Sequence, residues 1–345
     1  MEPEGKRASL SDIAKEAGVD ASTVSLVLNR KPLAERLRPE TRRRIIEIAE
    51  KLRYRPSAAA RSLRTGRSGM IGMVVGDIAS LFYSELTATA LANAERNGRR
   101  LIVSATEWSK EKELKALENL LAAGVDGIIF LPGSLSEEHP LFRTIRSERI
   151  PLVTFDRKLP GTPAVHCDYR RGFAEAVARL AARHRRIGYL GARGEVSNKI
   201  PSFREACSAC GCEGIVCEFE GDDFSNFKLE PALFLGDGAP KAWLVGAGEA
   251  SIYLLNHLLR QGIGIPGEIE LVGTSVPRIG ELCTPSVSHV ELDCSALMRA
   301  AFELLGGGEE REIFVPTGFR QFSLKAQLPA AWDRAALRRI HAFGT

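Results

Sequence analysis

The sequence predicts an α/β protein in which a small all-α head precedes two doubly wound α/β subdomains. Residues 1–55 carry apolar side chains at helical spacing, whereas from Met70 onward short apolar runs alternate with helical stretches. This alternation occurs in two series, which indicates two parallel sheets, each covered by helices on both faces. The length of 345 residues also exceeds that of one typical domain.

Charge is distributed unevenly along the chain. Residues 1–70 contain 16 Lys and Arg against 9 Asp and Glu, whereas residues 71–345 contain 31 against 34. A basic head on a slightly acidic body indicates a head that binds a polyanion, although a solvated basic surface fits the charge alone equally well.

The sequence gives no sign of export or membrane insertion. No apolar run approaches the length of a membrane span, and the stretch MEPEGKRASLSD at the start lacks the apolar core of a signal peptide. The seven cysteines show no disulfide-framework spacing, which is typical of a reducing compartment. We therefore expect a cytoplasmic protein without membrane contact.

The head begins with two short helices joined by a tight turn. Ser11 and Asp12 supply the chemistry of a helix start, and Gly18 can adopt the positive φ that ends such a helix. Asp20 would cap the second helix, and Pro39 suits the first turn of a third. Apolar residues at helical spacing form the inner faces of the first two helices: Ile13, Ala14, Ala17, Val24, Val27 and Leu28. Two short helices joined in this way form the helix-turn-helix pattern.

Two stretches of the head resemble a known family. SDIAKEAGVDASTVSLVLN (residues 11–29) and YRPSAAARSL (residues 54–63) are similar to the helix-turn-helix and hinge of the lactose-repressor (LacI/GalR) family of bacterial transcription regulators. The resemblance implies a sequence-specific regulator, usually a repressor, that binds a palindromic double-stranded DNA operator. It implies no enzymatic activity, no cofactor and no metal.

The resemblance also implies the domain organisation. A helix-turn-helix domain would span residues 1–55, a hinge residues 56–68, and a periplasmic-binding-protein-like (type I) core for effector binding and dimerisation residues 69–345. The core would divide into a first subdomain of about residues 69–168 and 286–345 and a second of about 169–285. The chain ends soon after FRQFSLKAQ without the heptad leucines of the tetrameric lactose repressor, so a homodimer is expected.

Residues in the second helix and the hinge are assigned to DNA by the resemblance. In the helix, three would face bases and three would hold phosphates, respectively Ala21, Ser22 and Leu26, and Thr23, Ser25 and Asn29. Leu26 departs from the long polar residue frequent in the family and cannot form the bidentate contact of Arg with guanine. In the hinge, Leu63 would wedge into the minor groove, with Ala60 beside it and Arg61 and Arg64 near phosphates. A flexible linker is the alternative interpretation of the hinge.

An effector would bind in the cleft between the two subdomains, beyond the carboxyl ends of the strands. The residues that the resemblance assigns to it are Phe82, Asp156, Lys199, Phe203, Ala247, Gly248 and Ser275. Asp156 keeps the carboxylate of the family and Lys199 replaces an Arg, whereas the last three replace an Asn-Asp pair and an Asp. Leaving the buried hydroxyls of a sugar unpaired costs about 1–3 kcal/mol each, so a sugar held in the usual way is not expected. A sugar derivative, an anionic metabolite held by bare N–H groups and Lys199, and the absence of any effector all stay open.

Three further patterns have competing interpretations. LVGAGEAS (residues 244–251) is a partial dinucleotide-binding motif whose third glycine is Ser251, so a nucleotide-dependent enzyme is one alternative and a solute receptor on the same fold another. The stretch CSACGCEGIVC has no standard zinc spacing, so we expect reduced thiols at Cys207, Cys210, Cys212 and Cys217. We expect three histidines to lie at surfaces or turns: His139, His184 and His289.

Overall fold

A computed structural model of the protein describes residues 8–29, 31–54, 66–133, 135, 138–194, 197–219, 232–275, 277–307 and 310–322. The chain divides into two compact units, Met1–Ser68 and Gly69–Thr345. The hinge residues assigned to DNA lie outside the described residues: Ala60, Arg61, Leu63 and Arg64.

The head consists of three α-helices and one short 3₁₀ helix. Its elements are α1 (Leu10–Ala17), α2 (Ala21–Leu28), the 3₁₀ helix (Pro32–Arg36) and α3 (Pro39–Lys51). The apolar faces that the spacing predicts pack together around three fully buried side chains, which are Ile13, Val24 and Ile45. This arrangement confirms the all-α head.

Helix α1 is capped at both ends, although not by the residue that we expected at its start. Ser9 is the N-cap, because its N–H donates to Asp12 Oδ2 at 2.8 Å and its Oγ accepts the N–H of Asp12 at 3.3 Å. Ser11 therefore lies inside the helix. Gly18 ends α1 in the predicted left-handed conformation, with a φ of 66°.

The first subdomain contains a parallel six-stranded sheet. Its strands are β1 (Met70–Val75), β2 (Arg100–Ala105), β3 (Ile128–Phe130), β4 (Leu152–Phe155), β5 (Ala164–Asp168) and β11 (Glu312–Pro316). They lie in the order β11-β5-β4-β3-β1-β2. The helices of this subdomain are α4 (Leu81–Arg96), α5 (Lys110–Ala122), α6 (Pro140–Ser147) and α12 (Cys294–Gly306).

The second subdomain contains another six-stranded sheet. Its strands are β6 (Arg186–Ala192), β7 (Glu213–Phe219), β8 (Ala242–Val245), β9 (Glu270–Thr274), β10 (Ser288–Glu291) and β12 (Gly318–Arg320). They lie in the order β12-β10-β9-β8-β6-β7, and β12 runs antiparallel to β10 while the other pairs are parallel. The helices are α7 (Arg170–Ala181), α8 (Lys199–Cys210), α9 (Ala232–Leu235), α10 (Gly248–Arg260) and α11 (Pro277–Leu282). The two sheets confirm the predicted pair of doubly wound subdomains. Within the described ranges, no helix combines the length and the apolar character that crossing a membrane requires.

The chain passes between the two sheets three times, after β5, after β10 and after β11. Two of these crossings bind each other, because Thr317 donates its N–H at 2.9 Å and its Oγ1 at 3.0 Å to the carbonyl of Asp168. A Cβ at Gly172 would overlap Thr317 Oγ1, so the glycine permits α7 to begin close to the crossing.

The second subdomain extends a few residues beyond the boundary that we expected at about residue 286. Ser288–Glu291 forms β10, which pairs in parallel with β9, and Gly318–Arg320 returns to the second sheet as β12. The second subdomain therefore extends through β10 and regains a strand after β11. Strands of four and three residues are too short to produce a clear periodicity in the sequence.

A buried carboxylate holds the loop that follows β3. Glu113 on α5 is fully buried, and its Oε1 and Oε2 accept the N–H groups of Gly133 at 2.7 Å and Leu135 at 2.8 Å. Arg157 donates to the carbonyl of Gly133 at 3.0 Å. The loop at this edge of the first sheet is therefore fixed by charged side chains from two other elements.

We predict that Glu113→Ala lowers the free energy of unfolding by about 2–3 kcal/mol, because two buried N–H groups lose a charged acceptor. Urea unfolding followed by circular dichroism measures the loss. Glu118→Ala on the exposed side of the same helix is the matched control and should stay within about 0.5 kcal/mol of the wild type. Equal effects of the two substitutions would contradict the role of Glu113.

Candidate DNA-binding and effector-binding sites

Helix α2 turns its apolar side toward the head and a polar side outward. Val24 and Val27 are buried, whereas Ser22 is exposed. Ala21 and Leu26 are half-buried and pack against the apolar core of the head. Among the three residues expected to face bases, Ser22 is therefore the most accessible.

The three residues expected to hold phosphates lie on the same short helix. Asn29 Nδ2 donates to the carbonyl of Ser25 at 2.7 Å and to Ser25 Oγ at 3.1 Å. Thr23 is half-buried in the first turn. Asp20 is the N-cap, as expected, but its side chain makes no capping hydrogen bond. The local hydrogen bonds thus fix the end of α2 that carries Ser25 and Asn29.

Some of the basic residues of α3 have structural partners within the head. Arg44 Nη2 donates to the carbonyl of Glu16 at 3.2 Å, and Lys51 Nζ lies 2.7 Å from Glu16 Oε1. The hydrogen bond to Glu16 raises the pKa of Lys51. Arg43 lies 3.9 Å from Glu47 in an exposed pair. Part of the positive charge of the head therefore connects α3 to α1.

Asp156 and Ser275 occupy equivalent places in the two sheets. Asp156 follows β4 and Ser275 follows β9, and both have left-handed φ values, of 53° and 62°. Each donates its N–H to the neighbouring strand, Asp156 to Val165 at 2.9 Å and Ser275 to Val290 at 2.8 Å. Left-handed backbone costs non-glycine residues about 1–3 kcal/mol and is concentrated at functional sites. The structure thus marks the same edge of both subdomains.

A carboxylate and an ammonium group approach one buried thiol at this edge. Asp156 Oδ1 accepts the N–H of Cys167 at 2.9 Å, and Lys199 Nζ lies 5.2 Å from the centroid of the Tyr169 ring. Burial raises the pKa of the Cys167 thiol well above its usual value, Asp156 raises this pKa further, and Lys199 lowers it. The structure therefore brings together two of the charged groups that the sequence assigned to the effector.

In the loop before α10, packing against a buried side chain explains the presence of Gly246. A Cβ at Gly246 would overlap the hydroxyl of Tyr189, a side chain that is fully buried. Ala247 is the N-cap of α10 without a side-chain cap, and Ser251 Oγ donates to the carbonyl of Gly248 at 2.6 Å. Gly246 is thus accounted for by its close contact with Tyr189.

Phe203, which the sequence assigned to the effector, lies in the apolar core of this structure. Its side chain is fully buried, and its ring centroid lies 5.4 Å from that of Tyr189. Lys199 begins α8, and Phe203 follows one turn later, where the helix enters the core. Phe82 is half-buried in the first turn of α4 and contacts Tyr83 edge-on at 5.1 Å.

The sequence did not indicate two residues of this edge. Trp108 follows β2 with a φ of 58°, lies 5.5 Å from Tyr83 between ring centroids, and covers Gly76 so closely that a Cβ there would overlap its ring. Glu249, in the first turn of α10, accepts the N–H of Leu81 at the start of α4. A tryptophan after a short strand and a glutamate at a helix start are common features, so neither carries a signal that periodicity or motifs detect.

The cysteine-rich stretch and the histidines were the remaining candidates. Cys207 is buried and Cys210 exposed, and burial raises the pKa of Cys207 to about 12. Among the described residues, no three or more His, Cys, Asp or Glu side chains are arranged to hold a metal ion. His289, expected at a surface or turn, is instead fully buried on β10, where burial lowers its pKa. Its place in a strand covered by α11 explains the difference.

Comparison with known families matches both parts of the chain. The model "Bacterial regulatory proteins, lacI family" matches residues 9–57, and the model "Periplasmic binding protein-like domain" matches residues 177–309. Catabolite control protein A of Priestia megaterium is 28% identical over 293 residues, which cover 82% of this chain and 86% of that protein. The HTH-type transcriptional regulator DegA of Bacillus subtilis (strain 168) is 27% identical over 294 residues, with the same two coverages.

A solved structure shares the fold over nearly the whole chain. Lac repressor bound to ONPG in the repressed state superposes with a TM-score of 0.77 at 22% sequence identity, covering 92% of this chain and 99% of that one. A helix-turn-helix head followed by a periplasmic-binding-protein-like core defines a bacterial DNA-binding transcription regulator. The chain carries a helix-turn-helix of the lacI family of bacterial regulatory proteins, followed by a periplasmic-binding-protein-like core. DegA is a transcriptional regulator of the helix-turn-helix type, and the same head and core make this protein a DNA-binding transcription regulator.

We predict that Gly246→Ala destabilises the protein by about 1–3 kcal/mol, because the added methyl group overlaps the buried Tyr189 hydroxyl. Gly267→Ala is the matched control in the same subdomain, since a Cβ at Gly267 meets nothing within 4 Å. The control should be neutral or slightly stabilising, by up to about 1 kcal/mol. Thermal unfolding of the three proteins measures the effect, and equal midpoints would show that Tyr189 does not require the glycine.

Proposed function

We propose that this regulator binds a palindromic operator as a homodimer in the cytoplasm and represses transcription there. Each α2 would lie in the major groove, with Ser22 at the bases and with Thr23, Ser25 and Asn29 near phosphates. The exposure of Ser22 supports this docking, as do the hydrogen bonds between Asn29 and Ser25. Lac repressor is a dimer bound to operator in one similar structure, with a TM-score of 0.75 at 22% identity, which supports the dimer.

Base recognition by α2 would depend mainly on apolar contacts. Ala21 and Leu26 are half-buried and offer only methyl groups to the DNA, which suit the methyl group of thymine and not the polar edge of guanine. Sequence preference would then come largely from the deformability of the operator centre. This assigns a large part of specificity to the hinge.

We assign the hinge to the minor groove. Leu63 would insert between base steps at the operator centre, with Ala60 packed beside it and Arg61 and Arg64 near phosphates. The sequence YRPSAAARSL supports this assignment, because it directly continues the family match that ends at residue 57. An apolar wedge costs unstacking energy and allows a kinked duplex to contact more of the protein.

The effector that we propose is an acidic sugar derivative, such as a uronic acid or a sugar phosphate. Asp156 would accept hydrogen bonds from hydroxyl groups, and Lys199 would bind the acidic group. Both charges change the pKa of the Cys167 thiol, which supports a place for them in one site. Trp108, at the same edge, has the flat apolar surface that suits a sugar ring. Ala247 and Gly248 have no polar side chains for a neutral sugar.

Effector binding would act on DNA by changing the relative position of the two subdomains. A ligand that contacts both Asp156 and Lys199 favours one relative position of the subdomains and thereby changes the affinity for the operator. By linkage, the operator must change the affinity for the effector by the same factor.

We predict that Leu63→Ala weakens binding to an operator selected from randomised DNA at least tenfold, a loss of about 1.4 kcal/mol or more. Binding to nonspecific DNA of equal length should change little and should keep its steep dependence on salt, because that binding rests on phosphate contacts. Fluorescence anisotropy titrations measure both affinities. Equal losses on the two DNAs would rule out the wedge.

We predict that glucuronate or glucose 6-phosphate raises the melting temperature by a few degrees, whereas ribose and glucose do not. A ligand at 100 times its dissociation constant stabilises by about 2.7 kcal/mol, which thermal-shift assays resolve. Lys199→Met should abolish the shift. Lys241→Met, just before the amino end of β8 in the second sheet, should retain it. Micromolar binding of a neutral sugar would overturn the proposed class of effector.

A further inference from the structure

A hydrogen bond joins the two subdomains at the carboxyl edges of their sheets. The carboxylate of Glu249 accepts the backbone N–H of Leu81. Leu81 is the first residue of α4 in the first subdomain, and Glu249 lies in the first turn of α10 in the second. The bond therefore connects two helix starts that belong to different sheets.

The start of α4 lacks a side-chain cap and an acidic residue of its own. The N–H of Leu81 is one of the donors at a helix start that have no partner within the helix. Ser80 is the N-cap, but its side chain makes no capping bond, and the first turn of α4 contains no acidic residue. The nearby carboxylate of Asp77 accepts the N–H of Ala79 at 2.8 Å. Glu249 thus supplies from the opposite subdomain the cap that most helices obtain locally.

The second subdomain holds Glu249 in a fixed place. Gly246 packs against the buried Tyr189, and Ser251 Oγ donates to the carbonyl of Gly248, so the loop before Glu249 is tied to its own subdomain. Ala247 and Gly248 provide no polar side chain. Glu249, in the first turn of α10, therefore offers the first subdomain a carboxylate whose backbone is anchored in the second.

We propose that Glu249 is an intramolecular latch, a carboxylate of the protein that caps α4 and holds the cleft closed without an effector. A negatively charged acceptor at a helix start is stabilised both by the hydrogen bond and by the helix dipole. Opening of the cleft breaks this bond and leaves the N–H of Leu81 without its acceptor. An effector that reaches the start of α4 must displace Glu249. The latch goes beyond the function proposed above, because it requires neither the operator nor any particular effector.

Hydrogen exchange of the apo protein, followed by mass spectrometry, tests the latch. In Glu249→Ala, peptides that contain the start of α4 (residues 80–84) should exchange at least tenfold faster than in the wild type, because the amide loses its acceptor and the cleft opens. Glu205→Ala, an exposed glutamate on α8, is the matched control and should leave these peptides unchanged. Peptides from β3 in the core of the first sheet should not change in either variant.

Chemical rescue separates a missing cap from a general loss of structure. Sodium acetate in excess should restore protection at residues 80–84 in Glu249→Ala, whereas sodium chloride at the same ionic strength should not. If Glu249→Ala does not fold, Glu249→Gln carries the test, since the neutral amide is a weaker acceptor and exchange should rise at least threefold. Wild-type exchange rates at the start of α4 in every folded variant would overturn the latch. No DNA or sugar is present, so failure of the proposed effector class would not affect this result.

Discussion

The three crossings of the chain between the two sheets are the constraint on which the rest of the structure depends. Asp168 accepts two hydrogen bonds from Thr317, and Gly172 lets α7 start against them, so the crossings form one compact connection. Parallel strands run in the same direction, so their carboxyl ends lie at one edge of each sheet. Because both sheets are joined through the same segments, their carboxyl edges lie close together, and Glu249 at one edge accepts the N–H of Leu81 at the other. Residues as distant in sequence as Asp156 and Lys199 thereby act on one thiol.

The carboxyl edges of the two sheets share one backbone geometry but carry different side chains. Asp156 and Ser275 follow equivalent strands in left-handed conformations, yet one carries a charge and the other a hydroxyl. The far end of β9 is fixed by Glu270, whose buried carboxylate lies 2.6 Å from Arg183 and 3.2 Å from His184. The position of Ser275 therefore rests on a strand held at both ends. At the start of α10, Ala247 and Gly248 carry no polar side chain, and Glu249 accepts a hydrogen bond from Leu81 of the first subdomain.

The head and the core differ in how far sequence reasoning reached. In the head, Ile13 and Ala17 of α1 and Val24 and Val27 of α2 lie at helical spacing and are buried as predicted, because an amphipathic helix buries its apolar side. The helix start was assigned to Ser11 and Asp12; Asp12 does take part in the capping box, but its partner is Ser9. In the core, the alternation of strands and helices indicated both sheets. It did not reveal β10 and β12, and it placed His289 at the surface although the residue is buried in β10.

The sequence by itself determined the class of most elements and the resemblance to a family, because both depend on local spacing. The signals were apolar periodicity, the glycine after α1 and the residues of α2. It also indicated Asp156 and Lys199 as charged groups of the cleft. Only the tertiary structure decided which side chains reach that cleft. Phe203 enters the core one helical turn after Lys199, Trp108 covers Gly76, and Glu249 caps a helix of the other subdomain. Each of these outcomes depends on how separate elements pack, and contacts between distant segments leave no periodic signal in one sequence.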